Sequence, residues 1–125
     1  MTKPISILVV DDDQSMAELA CEILNASNFK TTYAKNGVIA LALLSISTSF
    51  DLVLTDLDMP YINGIELIKQ IKTSFPRVKT ILMTGGSHKG VQIPEDIDYL
   101  EKPFDLEGLL SRVNLELEKT TGEKP

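Results

Sequence analysis

The 125-residue sequence has one cysteine, one histidine and no tryptophan. Without a second cysteine there is no internal disulfide and no CxxC pair, and Cys21 with His88 cannot assemble a four-ligand zinc site. Cys21 reads as a small core residue of the first helix and His88 as a loop residue. A chain of this length buries roughly two-thirds of the surface its unfolded form exposes, so it needs no such staple. Long hydrophobic runs are missing too, and none approaches the ~20 residues required to cross a bilayer. The opening MTKPISILVV carries one lysine and a short apolar run that stops at Asp11, which does not read as a signal peptide. Positive charge is scarce: 12 Lys and Arg stand against 18 Asp and Glu, for a net charge of −6. That balance repels phosphate backbones over most of the surface and argues against direct nucleic-acid binding. The expectation is one compact domain over 1–119 in a reducing cytoplasm, with no membrane insertion, followed by a disordered tail or linker start over 120–125.

What the chain does have is alternation. Ile5 to Val10 is aliphatic apart from Ser6 and reads as a strand buried on both faces. Asp13 then caps a helix over 14–26, whose apolar stripe is Met16, Leu19, Ala20, Ile23 and Leu24. Phe29 to Tyr33 is a weaker strand, and Asn36-Gly37 opens a second helix through Val38, Leu41, Ala42, Leu43 and Leu44. Asp51 to Thr55 repeats the buried-strand pattern. Ile65, Leu67, Ile68 and Ile71 mark a third helix that stops before Phe75-Pro76. Val78 to Met83 is a fourth strand, and Ile97 to Leu100 a fifth. Between those two the chain is polar and glycine-containing, enough for one or two helical turns. A last helix runs from Phe104 to about Glu118, with Leu106, Leu109, Leu110, Val113 and Leu117 facing the core. Strand and helix alternating in this way predict an α/β fold, a mainly parallel sheet covered on both sides.

In such a sheet, binding sites lie beyond the carboxyl ends of the strands, where the strand order reverses. Asp11 and Asp12 end the first strand and Asp56 the third. If those strands are neighbours, three carboxylates converge, which is costly unless a cation compensates or one of them takes a proton. A hard divalent ion is the economical answer: Mg²⁺ takes oxygen ligands, keeps several waters and is typically completed by phosphate. Thr84 and Lys102 end the fourth and fifth strands and point to the same crevice. An ammonium and a hydroxyl there suit the oxygens of a phosphoryl group transferred to an aspartate as an acyl phosphate. Taken singly the residues are ordinary, since Asp13 suits a cap, Asp58 a turn and Tyr99 a packed strand position; the constellation is not.

These residues resemble the receiver domain of two-component response regulators, the CheY-like family, along nearly the whole chain. ILVVDDD at 7–13 is similar to the family's acidic pair, which falls on Asp11 and Asp12. LVLTDLDMP at 52–60 resembles the phosphoacceptor segment, with Asp56 as acceptor, and Gly64 matches the turn that follows. Met83-Thr84 resembles the fourth-strand end with its switch hydroxyl, and DYLEKPF at 98–104 the fifth-strand segment, with the switch aromatic at Tyr99 and the lysine at Lys102. The resemblance implies a doubly wound, flavodoxin-like five-stranded sheet of order 2-1-3-4-5. It also implies Mg²⁺-dependent transfer, with Mn²⁺ as a substitute ion, from a phosphohistidine on a sensor histidine kinase or a histidine phosphotransfer protein to Asp56. Such a domain catalyses its own phosphorylation and slow dephosphorylation without being a turnover enzyme. Asp58 would give its backbone carbonyl to the metal, and the Lys102-Pro103 bond is cis in relatives. Output would pass to a downstream protein or a fused effector domain.

The departures matter as well. Thr84 and Lys102 are eighteen positions apart, about four fewer than is usual in the family, a loss of about one helical turn that falls on the helix between the fourth and fifth strands. Gly85, Gly86, Gly90 and Pro94 weaken that helix further, so it is expected to be shortened or disordered, which argues against symmetric dimerisation through its face. Two other readings compete. One is a phosphorylation-independent receiver-like interaction module; retention of all five chemical positions speaks against it. The other is a phosphohydrolase of the haloacid-dehalogenase type, whose nucleophile segment Asp56-Leu57-Asp58 resembles. That family carries the motif on its first strand, whereas here an acidic pair precedes it by more than forty residues.

Overall fold

The computed structural model describes residues 3–47, 49–85 and 92–119. Along these run β1 (Ser6–Val10), α1 (Gln14–Ala26), β2 (Lys30–Ala34), α2 (Gly37–Ile46), β3 (Leu52–Asp56), α3 (Gly64–Ser74), β4 (Lys79–Thr84), β5 (Tyr99–Glu101) and α4 (Leu106–Leu117). The five strands form one parallel sheet in the order β2-β1-β3-β4-β5, as expected. The order reverses between β1 and β3. The turns expected between β4 and β5 fall mainly on 86–91, with Gly86, His88 and Gly90, and lie outside the described residues, as does the tail 120–125. Gln92 to Pro94 are irregular and a single turn follows at 95–96.

Strand pleating divides the core in two. Side chains alternate across the sheet, so Ile7, Val9, Leu52, Leu54, Ile81 and Met83 face α1 and α4, where they meet Ala17, Ala20, Leu24, Leu109 and Val113. Leu8, Val10 and Val53 face the other way, against Ala40 and Leu44 of α2 and Leu67 and Ile71 of α3. All of these strand residues are fully buried or nearly so, which is why β1, β3 and β4 read as unbroken aliphatic runs. Each helix starts on a polar cap: Asp13, Asn36, Asn63 and Asp105 accept backbone N–H bonds from Met16, Ile39, Glu66 and Gly108. Asn63 and Glu66 make the reciprocal capping box.

Several expectations shift. The fifth strand is Tyr99–Glu101 rather than Ile97–Leu100; Ile97 instead tucks into a small cluster with Leu57, Ile68 and Leu82, its N–H donated to Pro94 O. The last helix starts at Leu106, not Phe104, because Asp105 takes the cap. Leu106 itself is 51% exposed, and so at 46% is Leu19 of α1, where Ala17 is buried in its place. Periodicity places a stripe, but residues at its edge are decided by how close the next element comes. Tyr99, read as packed, sits 42% exposed on the edge strand. Cys21 packs half-buried against the α1 side of the core, as read.

One buried acid was not foreseen. Glu116 of α4 is buried beside Asp98, which leads into β5, and Lys119 pairs with both. Burial and the hydrogen bond to Asp98 push the Glu116 carboxyl up, against the pull of Lys119. Burial works to raise Asp98 as well, but the hydrogen bonds from Glu116 and Lys119 hold it below its ordinary value. A protonated Glu116 donating to an ionised Asp98 satisfies both shifts. An acid whose folded pKa lies above its unfolded one gives stability that is complete below the unfolded value, 4.5 here, and is lost as pH rises through the folded value.

Two outcomes follow from this packing. Glu116→Gln keeps a hydrogen-bond donor for Asp98 and removes the charge, so thermal melts should place it about 2–5 °C above wild type at pH 8 and level with it near pH 4; a lower midpoint at pH 8 contradicts the assignment. A Cβ on Gly64 would stand 2.2 Å from Asp56 O and 2.6 Å from Leu82 Cδ1, whereas one on Gly85 would meet nothing within 4 Å. In urea titrations Gly64→Ala should lose about 2–3 kcal/mol and Gly85→Ala less than about 0.5 kcal/mol.

Candidate functional site

The register Val10↔Thr55 brings the ends of β1 and β3 side by side. Asp11 therefore leaves β1 next to Asp56, the last residue of β3. Asp11 is buried, Asp12 exposed and Asp56 partly buried, and each offers a carboxylate oxygen within 4.8 Å of the others. Lys102, just beyond β5, closes the group: its Nζ lies 3.0 Å from Asp56 Oδ1 and 3.3 Å from Asp11 Oδ2. The lysine is delivered by the sheet, since its backbone N–H donates to Thr84 O at 2.6 Å. The Lys102-Pro103 peptide is cis, as the resemblance implied.

The local environment sets the charge. Burial raises the Asp56 carboxyl above its ordinary value; the hydrogen bond from Lys102 opposes this without cancelling it, and the negative charge of Asp11 adds to the rise. Burial alone would lower Lys102, yet its contacts with Asp56 and Asp11 outweigh that and raise it, so the ammonium stays charged at neutral pH. Two like charges, one buried and one partly buried, bracket one cation. A hard ion is suited to the remaining negative charge, and the ligand atoms on offer are all oxygens.

Asp11 is held from three sides. Its Oδ1 accepts the Asp13 N–H at 2.9 Å, its own N–H donates to Ala34 O at 3.2 Å, and its carbonyl accepts the Tyr33 hydroxyl at 2.8 Å. Burial, followed by the nearby charges of Asp11, Asp12 and Asp13, pushes the Tyr33 phenol up, so it remains a donor. Asp13 is a helix cap and not part of the carboxylate trio, as its position suggested. Tyr33 was visible in the sequence only as a strand residue; nothing in its local pattern marks a hydroxyl that reaches back 22 residues.

Thr84 closes β4 and is fully buried, and its Oγ1 is without a hydrogen-bond partner among the described residues. A buried hydroxyl left this way costs about 1–3 kcal/mol, so it calls for an acceptor that the described residues do not supply. Asp58 lies exposed in the loop after β3, outside the trio. Tyr99 stands on β5, paired in register with Leu82. Gly64 lets α3 begin directly against the Asp56 carbonyl, with its N–H donated to Leu57 O at 2.8 Å. No helix among the described residues is long and apolar enough to cross a membrane.

Known proteins resemble this chain in sequence and in fold. The sequence profile of the response regulator receiver domain matches residues 7–114. Among relatives, the transcriptional regulatory protein CpxR of Klebsiella pneumoniae is 36% identical over 118 residues, which is 91% of this chain and 50% of that protein. The response regulator MprA of a Mycobacterium species is 32% identical over 126 residues, 97% of this chain and 54% of its own length. The chain thus spans about half the length of these curated relatives. Among solved structures, a response regulator receiver domain protein of Clostridium thermocellum superposes with a TM-score of 0.83 at 25% identity, covering 90% of this chain and 94% of that one. A CheY-like receiver domain protein of Methanospirillum hungatei gives 0.82 at 26% identity, with 93% and 95% covered. On the profile match, the identity to these regulators and the carboxylate cluster at the β1 and β3 ends, the chain belongs to the response regulator receiver domain family of two-component phosphorelay signalling.

Proposed function

We propose that this domain accepts a phosphoryl group on Asp56 from a phosphohistidine of a sensor histidine kinase or a histidine phosphotransfer protein, and that the modification resets a protein-binding surface around β5. The observation that carries this is the Asp56 carboxylate, 3.0 Å from the Lys102 ammonium within a trio of carboxylates. In the transfer the P–N bond to the donor imidazole breaks and a P–O bond to an Asp56 carboxylate oxygen forms, leaving an acyl phosphate. Burial removes water from the attacking oxygen, and Lys102 supplies positive charge to a phosphoryl oxygen that arrives beside it. Asp11, Asp12, Asp56 and the backbone carbonyl of Asp58 are the ligands proposed for Mg²⁺, with Mn²⁺ sharing their oxygen preference. Bound there, Mg²⁺ neutralises charge on the transferring group.

Thr84 is the proposed sensor. Its hydroxyl, without a partner among the described residues, is one strand away from Asp56, and a phosphoryl oxygen is the acceptor proposed for it. Drawing Thr84 inward opens room on β5 for Tyr99, which is exposed in the bare chain. Lys102 and Thr84 are joined through the backbone, so the change reaches β5 directly. Downstream, the recipient is a partner protein or a fused effector domain.

Acetyl phosphate with Mg²⁺ should add the mass of one phosphoryl group to the chain and none to Asp56→Ala; equal labelling of the two would refute the assignment. Lys102→Ala should slow the labelling by roughly 10²-fold. Asp12→Asn should abolish the rise in melting temperature that Mg²⁺ gives wild type, while its metal-free midpoint stays at or above the wild-type value because a like charge has gone. A beryllofluoride mimic of the phosphoryl group should move amide resonances across 92–101 in wild type and far less in Thr84→Ala; a silent segment in wild type would rule out the switch.

A further inference from the structure

Helix α2 is unlike the other three. Its ten residues, GVIALALLSI, contain no charge, with no acid in the first turn and no base in the last. Gly37, Ala40 and Leu44 face the core, yet apolar residues continue round the helix to the outside. Val38 is 54% exposed, Ile39 37% and Ile46 82%, with Ala42 and Ser45 exposed among them. Past Ile46 the face runs on into a groove of about 320 Å³ that takes in Phe50, Phe75 and Val78. A helix apolar on all sides is normally covered on all sides.

The arrangement of this face points to what covers it. Val38, Ala42 and Ile46 follow one another at four-residue intervals, so they form a single row along the helix. The row is symmetric about Ala42, with a branched aliphatic side chain one turn away on either side and a methyl group at the centre. Laid antiparallel on itself, the helix sets Val38 against Ile46 of the second copy and Ala42 against Ala42, which allows close approach at the crossing.

Charge supports the same occupant. Lys35 is exposed and lies just before the α2 N-terminus, where the helix dipole disfavours a cation. In the antiparallel pairing it falls near the carbonyl end of the second copy's α2, which has no basic residue of its own in its last turn. The net charge of −6 opposes association through most of the surface, and this uncharged helix is where two copies meet with least repulsion.

We propose that α2 is a self-association surface, on which a second copy of this chain packs its own α2 antiparallel about a two-fold axis at Ala42. The face is isologous, each copy giving and receiving the same contacts. Its exposed apolar area is on the order of a few hundred Å², short of the ~800 Å² per partner of a standard interface. The dimer is therefore weak, and it forms at high concentration or when another interaction brings copies together. It uses none of the residues around Asp56 and does not depend on phosphorylation.

Sedimentation of the full chain from about 10 µM to about 1 mM tests this, a range set by the micromolar-to-millimolar affinity that so small an interface supports. The average mass of wild type should climb from 13.8 kDa toward twice that value. Ile46→Lys, at a position 82% exposed and thus tolerant of the change, should remain monomeric throughout, with circular dichroism confirming its fold. Lys35→Glu should need at least about threefold more protein for the same association, a shift in keeping with one helix-terminus charge. Leu115→Lys, at an exposed leucine of α4, should associate like wild type. A wild type monomeric at the highest concentration overturns the proposal. So does association that survives Ile46→Lys, or that is lost in Leu115→Lys instead, since the contact then lies elsewhere.

Discussion

An ammonium shared by two carboxylates is the interaction around which the upper edge of this sheet is organised. Asp11 is almost wholly withdrawn from water and Asp56 largely so, and side by side they would repel each other in a medium that screens poorly. Lys102 offsets that repulsion from a third strand, so the strands bearing the two acids and the strand leading to the lysine must all end at one level. The parallel register does this, with β1, β3 and β4 in step and β5 joined to β4 through Leu82, Met83 and Thr84. A buried ion pair of this kind adds little to stability by itself. Its value here is positional, because it holds a partly dehydrated carboxylate and a cation 3.0 Å apart at the end of the sheet.

Much of the framework could be read from the residues. Strands buried on both faces are continuous aliphatic runs, and β1, β3 and β4 were recognisable as such to within a residue or so. Helix α1 begins and ends where its cap and its stripe say it should, because Asp13 closes one end and the apolar spacing stops at the other. The less legible parts have physical reasons. Helix α2 has apolar residues on every side, so periodicity cannot tell which of them are covered, and Val38 is exposed where Ala40 is buried. Strand β5 is three residues long at the sheet edge, and its aliphatic neighbour Ile97 was drawn into the strand when it belongs to the core below. Glu116 is buried against the rule for its residue type because Asp98 and Lys119 supply hydrogen bonds that only tertiary folding brings together.

The site was more legible than the packing around it. Acidic residues at the ends of two strands that proved adjacent had to converge, and Lys102 had to lie on the same side of the sheet. That argument needs only strand direction and order. Tyr33 escaped, and Gly64 showed only as a turn glycine, because their roles are supporting ones. A tyrosine hydroxyl that reaches a carbonyl on the neighbouring strand leaves no pattern in the local sequence, and a turn glycine does not reveal which carbonyl its helix will start against. Both act on backbone atoms, one on the carbonyl of Asp11 and the other against that of Asp56, so the paired acids are steadied by groups with no part in their chemistry.

The strand next to the lysine is the shortest of the five and, among the described residues, pairs on one side only. Local opening of a protein starts where pairing is least, and here that rung sits directly below the positive charge. When the sheet rim frays, the two acids lose their counterion in the same event, and water reaches both. Exposure of the Asp56 carboxyl is thereby tied to the integrity of a three-residue edge strand.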